Sequence, residues 1–173
     1  VGPKDFHELC IKLSSEILLT TKLVDNEAQA INKVLEVINN HQALDKLKEM
    51  IKWQGGNPNV IDDYSIFPQA KFTYEIKYNK EQPSYVKNID ALAVGNAAML
   101  LGAGRKTKED IIDPSVGVIL HKKVGDIVSK GDCYCSVLSN TSNIEEIINI
   151  ISSAYEFSNS YVEPLTKIIK TIR

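Results

Sequence analysis

Three histidines, three cysteines, an acidic pair and one basic loop are the places in this 173-residue sequence where side chains could do chemistry. His7, His41 and His121 fall on three separate elements. None has a metal-type partner at local spacing, so each reads as a solvated or structurally satisfied imidazole. Cys10, Cys133 and Cys135 make an odd count without metal-ligand spacing. Cys133-Tyr134-Cys135 lies in an apolar run that reads as a strand with both sulfurs on one face. The expectation is buried, reduced thiols, with a redox or metal role as the alternative. Asp62-Asp63 could attract a cation, or serve as solvated turn residues in a loop of Pro and Asn. No serine stands in a nucleophile-elbow context and no Gly-rich run has phosphate-loop spacing. Spacing alone therefore predicts no catalytic residue, no substrate-binding residue and no metal ligand in this chain.

One stretch remains. Leu101-Gly102-Ala103-Gly104-Arg105, followed by Lys106-Thr107-Lys108-Glu109-Asp110, is a basic loop leaving a helix rich in small residues. Gly104, Arg105, Lys106, Thr107 and Lys108 are the candidate border of a ligand cleft or a docking edge, with Arg105 supplying a guanidinium for an anion or carboxylate. The competing reading is a capped helix end, with Gly at the stop and cations complementing the C-terminal dipole. Lys122-Lys123 fits a solvated hairpin tip.

These residues must be positioned by ordinary globular structure. With 43% hydrophobic residues the chain is too apolar for disorder, and no apolar run approaches the roughly 18 residues that span a bilayer. A net charge of -2 gives no electrostatic footprint for nucleic acid. The start, Val1-Gly2-Pro3-Lys4-Asp5, has no initiator Met and no targeting signal, so a chain beginning inside a longer protein is expected.

Pro3 suits the first turn of a helix whose stripe is Phe6, Leu9, Cys10, Leu13 and Ile17. Asp25 or Asn26 can cap a second helix that buries Ile31, Val34, Leu35 and Ile38 and stops at Asn39-Asn40. A third carries Leu44, Leu47, Met50 and Ile51 and breaks at Gly55-Gly56. From Lys71 the period falls to two, with Phe72, Tyr74, Ile76 and Tyr78 on one face of a strand. A second strand near Tyr85–Ile89 precedes a helix over 91–101, capped by Asp90. Gly95 within that helix predicts close approach of another backbone. Val116–Leu120 and Cys133–Leu138 read as strands, with turns at Gly125-Asp126 and Gly131-Asp132 around Ile127-Val128. Asn143 can cap a last helix with Ile144, Ile147, Ile148, Ile151 and Tyr155 on one face. The state of the tail, 161–173, is left open. The boundary between a helical and an α+β piece is expected in 57–69.

Several of these segments, in order, resemble one family. They are Gln54-Gly55-Gly56-Asn57-Pro58, Val60-Ile61-Asp62-Asp63, Phe67-Pro68-Gln69-Ala70, Tyr85-Val86 with Ile89-Asp90, and, most specifically, Gly95 through Asp132 with its Leu101-Gly102-Ala103-Gly104-Arg105 run. The chain is similar throughout to the C-terminal portion of the pyrimidine-nucleoside and thymidine phosphorylases. The resemblance implies a parent that cleaves uridine or thymidine with inorganic phosphate as co-substrate and no other cofactor. It also implies a cytoplasmic homodimer with no nucleic-acid or membrane partner. The family holds phosphate on a Lys-His-Ser-Thr-Gly-Gly-type loop and the nucleoside on an Arg, a Ser, a Lys and a His, none of which has a counterpart in this sequence. The isolated chain is therefore expected to be inactive, monomeric or weakly associated, and to need the N-terminal part of the same protein.

The implied fold is α+β. Residues 1–60 would be trailing helices of the large α/β domain, and 69–173 a C-terminal α/β-hammerhead subdomain around the two Gly-Asp turns. The Gly104–Asp110 loop would edge the cleft. Val124-Gly125-Asp126-x-Val128-x-Lys130-Gly131-Asp132 also resembles the hairpins of biotinyl and lipoyl carrier domains, but Cys133–Thr141 contains no acceptor lysine. A non-catalytic binding or scaffold module is the alternative.

Overall fold

Helical periodicity in the first third of the chain produces α1 (Lys4–Thr20), α2 (Glu27–Asn39) and α3 (Gln42–Trp53). The computed structural model describes residues 2–172, which fall into two compact units dividing between Ile66 and Phe67. Asn26 is the residue that caps α2, its side chain accepting from the Gln29 N–H at 3.0 Å. Asn40 ends α2, and His41 turns the chain into α3 with a left-handed φ of 66°.

α1 and α2 pack together and bury Ser15, Ala30 and Val34. The expected stripe of α1 is not their contact: Phe6, Leu13 and Ile17 stay more than half exposed, and only Leu9 and Cys10 are partly covered. Nor does α3 bury any residue fully; Leu44, Leu47 and Met50 remain exposed. Each helix carries one apolar face, and a three-helix unit without a further layer cannot cover them all.

Ser15 is completely buried and its hydroxyl has no hydrogen-bond partner. An orphaned hydroxyl costs about 1–3 kcal/mol of desolvation. Ser15→Ala is expected to stabilise the chain by about 1 kcal/mol, read as a higher urea midpoint; a lower midpoint would mean that the hydroxyl is solvated.

The second unit contains β1 (Phe72–Lys77), β2 (Ser84–Ile89), α4 (Ala91–Ala98), β3 (Gly117–Leu120), β4 (Ile127–Val128), β5 (Cys133–Ser139), α5 (Glu145–Ala154) and β6 (Tyr155–Ser158). It is α+β, with two three-stranded antiparallel sheets ordered β1-β5-β3 and β4-β2-β6. The core lies where Ile76, Val86, Val128, Val137, Ile147 and Ile151 meet. It is lined by rings, with Tyr134 centred 4.7 Å from Tyr155 and Tyr78 4.9 Å from Phe157. Burial pushes both the Tyr134 and Tyr155 phenols above their ordinary pKa. The Tyr155 hydroxyl nevertheless finds partners, donating to the carbonyls of Lys122 (3.1 Å) and Tyr134 (3.4 Å).

The two Gly-Asp turns have the same construction. Gly125 and Gly131 hold φ of 93° and 88°, a region in which a Cβ is strained. Asp126 and Asp132 each fold a carboxylate back onto the N–H three residues earlier, Lys123 and Ser129. The Gly125 N–H then donates to Val86 O, and Val86 N–H to Asp126 O. The Gly131 N–H donates to Tyr78 O, and Tyr78 N–H to Asp132 O. One turn is thereby sewn to each sheet, with β4 between them.

Four expectations need correction. The register of β1 on β5 slips between Ile76 and Lys77, placing one extra residue on β5. The slip reverses the alternation, so Cys135 enters the core whereas the Cys133 sulfur lies 3.6 Å from the Ser136 hydroxyl; the two sulfurs are not on one face. Gly95 has nothing within 4 Å of where a Cβ would stand, so no backbone approaches it. Asn143 does not cap α5, whose first turn follows Ile144 and carries Glu145 and Glu146. Finally, Tyr155 is not helical. It opens β6, which pairs with β2. After Ser158 the described tail has no regular helix or strand.

Candidate functional site

The basic loop begins where α4 widens. Asp90 caps that helix, accepting from the N–H groups of Leu92 and Ala93 at 3.0 Å. After Ala98 the helix opens into a π-type turn, Met99–Ala103, in which Gly102 takes φ 105° and ends the helical path. The Gly102 carbonyl accepts from the Asp113 N–H at 2.9 Å, closing the loop at its base.

Two carboxylates organise what lies between. Asp110 accepts from the N–H groups of Lys106 (2.8 Å) and Thr107 (3.0 Å) and from the Thr107 hydroxyl (3.0 Å). Asp113 accepts from the N–H and hydroxyl of Ser115 at 2.9 and 2.6 Å. The Asn140 side chain, at the end of β5, locks this base. Its NH2 donates to Asp113 Oδ2 (2.7 Å) and Ser115 Oγ (2.8 Å), while its oxygen accepts from the Lys71 N–H (2.9 Å). Backbone and hydroxyl donors thus saturate both carboxylates, leaving Arg105, Lys106 and Lys108 exposed at the rim. Among the described residues no carboxylate forms an ion pair with Arg105.

The same donors hold both carboxyls below the usual carboxylate range: the Thr107 N–H first for Asp110, and the Ser115 hydroxyl first for Asp113. A depressed folded pKa contributes stability that is present above the ordinary aspartate value of about 3.9 and is lost as pH falls through the folded value. The loop should therefore keep its shape at neutral pH and loosen only below about pH 4. Asp110→Asn keeps an acceptor but loses the charge. It is expected to speed hydrogen exchange at the Lys106 and Thr107 amides at neutral pH, and unchanged exchange would show that Asp110 does not hold the loop.

The remaining chemistry-bearing residues serve local structure. Asp62 pairs with Lys48 at 2.8 Å, and Asp63 accepts from the N–H and hydroxyl of Ser65, which lowers its pKa. Lys122 donates to the Ile127 carbonyl at 2.8 Å and lies 3.4 Å from Asp132, across the first Gly-Asp turn. His7 is on α1 and His41 is in the α2–α3 turn. His121 follows β3, its Nε2 2.8 Å from Ser136 Oγ. Among the described residues no group of three or more His, Cys, Asp or Glu side chains could hold a metal ion. Sequence reasoning missed Asn140, because its partners lie 25 and 27 positions away and no local spacing connects them.

Residues 85–158 match the pyrimidine nucleoside phosphorylase C-terminal domain. Over a longer stretch, the chain is 44% identical over 147 residues to the pyrimidine-nucleoside phosphorylase of Bacillus subtilis (strain 168), covering 85% of this chain and 34% of that protein. It is 37% identical over 163 residues to the Staphylococcus aureus (strain USA300) protein of the same name, covering 94% of this chain and 37% of that protein. The chain is thus similar to a C-terminal portion of the pyrimidine-nucleoside phosphorylases and spans about a third of the length of these relatives.

Proposed function

We propose that the chain is the C-terminal portion of a cytosolic, homodimeric pyrimidine-nucleoside phosphorylase. The complete protein would transfer the pentose of uridine or thymidine to inorganic phosphate, releasing the free base. The observation that carries this reading is the similarity to two curated phosphorylases along most of the chain. Phosphorolysis of this kind passes through an oxocarbenium-like sugar between a departing base and a phosphate dianion, so the essential groups are donors to the base and a cradle for phosphate. Neither is assembled by this chain. The rest of the protein supplies them, and residues 104–108 edge the cleft in which they act. The second unit, with its paired Gly-Asp turns, is the hammerhead-type subdomain.

The uncovered apolar faces of α1 and α3 support the same reading. Phe6, Leu13, Ile17, Leu44, Leu47 and Met50 would be buried by the N-terminal part of the protein rather than by solvent-facing loops. The paired turns also favour a second reading, a non-catalytic binding or scaffold module like the carrier domains, although no lysine stands between Cys133 and Thr141.

The test is to assay uracil release from uridine with phosphate, using the chain alone and the chain joined to its upstream reading frame. The chain alone is expected to be inactive and the longer protein active. If neither turns over uridine or thymidine, the phosphorylase reading fails and the scaffold reading stands. In the active longer protein, Arg105→Ala is expected to lower kcat/KM about fivefold, close to 1 kcal/mol; unchanged kinetics would remove the loop from the cleft.

A further inference from the structure

β1 is an edge strand of its sheet. Among the described residues, its one ladder partner in the order β1-β5-β3 is β5, so its other side stays open. Lys71, Phe72, Thr73 and Glu75 are all exposed along it, Phe72 at 42%. The line of the strand reaches back to Lys71, whose N–H donates to the Asn140 side chain just beyond the Phe72–Ser139 pair. An open edge is a template for another strand unless proline or opposed like charges spoil it. No proline lies within 71–77, and the charges are placed to attract. Lys71-Phe72-Thr73-Tyr74-Glu75 complements itself when a second copy is laid antiparallel about Thr73. Lys71 then stands opposite the partner's Glu75, Phe72 opposite the partner's Tyr74, and Thr73 opposite its own counterpart. The two-fold axis repeats the charged and the aromatic pair. Opposite charges, aromatic pairs and Thr–Thr pairs are the cross-strand neighbours that stabilise an antiparallel ladder.

We propose that β1 is a self-association edge, through which two copies of the chain pair antiparallel over Lys71–Glu75 and join their β1-β5-β3 sheets into one. The phosphorylase reading gives this edge no role. The neighbouring registers are poorer. Centring on Tyr74 sets Lys71 against the partner's Lys77, and centring on Glu75 sets two carboxylates against each other on the axis. Like charges directly opposite are destabilising. Centring on Ile76 overlaps only Glu75–Lys77, because β1 ends there. Side chains keep to their own faces in the favoured register, since Lys71, Thr73 and Glu75 alternate with Phe72 and Tyr74. Glu75 already pairs with Lys77 at 2.9 Å, but both are half-exposed and such surface pairs contribute little, so Glu75 remains free to meet a second cation. A contact limited to one strand per copy is small, which makes this a transient pair rather than an obligate one.

The experiment is sedimentation equilibrium of the 173-residue chain from micromolar concentration up to about 1 mM, the weak end of measurable association. The average mass is expected to rise with concentration toward that of two chains. In Lys71→Glu or Glu75→Lys alone, like charges meet twice across the axis, and association should weaken about tenfold. Both reversals combined in one chain set opposite charges face to face again and should restore it. Thr73→Lys places two cations on the axis and should weaken it as strongly as either single reversal. All three positions are exposed, so the fold does not depend on them. A mass that stays at one chain at every concentration would overturn the proposal. So would a dimer that ignores these substitutions, or one that the combined reversal does not restore, since its contact would lie on another face or in another register.

Discussion

Ile151→Ala is expected to destabilise the second unit by about 2–5 kcal/mol, the usual cost of removing a large aliphatic side chain from a closed core. Ile151 is 0% exposed and is the largest of the fully buried side chains. It sits on the inner face of α5 beside Ile147 and Ala154, in the core shared with Val86, Val128 and Val137 of both sheets. Collapse around the gap is restricted because the neighbouring rings are tied in place: the Tyr155 hydroxyl is anchored on two carbonyls and the Tyr134 ring packs on Phe157 at 5.4 Å. The cost should therefore fall in the upper part of that range. Urea denaturation followed by tyrosine fluorescence would measure it. A loss under about 1 kcal/mol would show that α5 can shift to fill the space.

Gly125→Ala is expected to do two things that Gly131→Ala does not. Both substitutions force an L side chain into a positive-φ turn, at a cost of about 1–2 kcal/mol. At Gly131 nothing lies within 4 Å of the new methyl. At Gly125 the methyl would stand 2.8 Å from the nitrogen of Pro164 and 2.9 Å from its Cα, distances that backbone atoms do not tolerate. The tail must then move away from the turn and take Tyr161 off the Tyr85 ring, which it now meets edge-on at 5.5 Å. Gly125→Ala should be the more destabilising of the two, and it alone should open the chain to protease near residues 161–165. Equal melting shifts and equal digestion for the two variants would show that the tail does not rest on this turn.

What the sequence revealed, and what it hid, follow from the range of the interactions involved. α1, α2 and α3 were legible because their signals repeat every three or four residues, and α2 and α3 stop at Asn and Gly. Their burial was not, since a stripe on α1 predicts cover for Phe6 and Ile17 without naming the partner, and α2 leaves both exposed. β6 was hidden because Tyr155 continues the spacing of Ile147, Ile148 and Ile151, and only pairing with β2 makes the segment extended. The faces of Cys133 and Cys135 depended on a register slip set by β1, more than fifty positions away in the chain. The basic loop stood out by its glycines and cations, and Asp110, three residues after Thr107, sits where a local carboxylate could turn it. Its second anchor, Asn140, had no such signal. The family resemblance reached the pyrimidine-nucleoside phosphorylases that the chain matches, which local pattern alone could not.

The strand pairings also constrain how the molecule can be made. Lys71 bonds to Asn140, 69 positions later, and Ser84 to Asn159, 75 positions later. β1 cannot complete its ladder before β5 exists, and β2 lacks its β6 neighbour until α5 has been passed. On a ribosome, Tyr74 and Ile76 would leave the exit tunnel with no permanent neighbours and wait for β5, and Val86 would wait until Phe157 emerges. Few local contacts reward this unit early, so its folding should be slow beside that of a helical unit of similar stability. A stop codon between β5 and β6 would leave the β2 edge uncovered rather than a smaller domain, and such an edge recruits other chains.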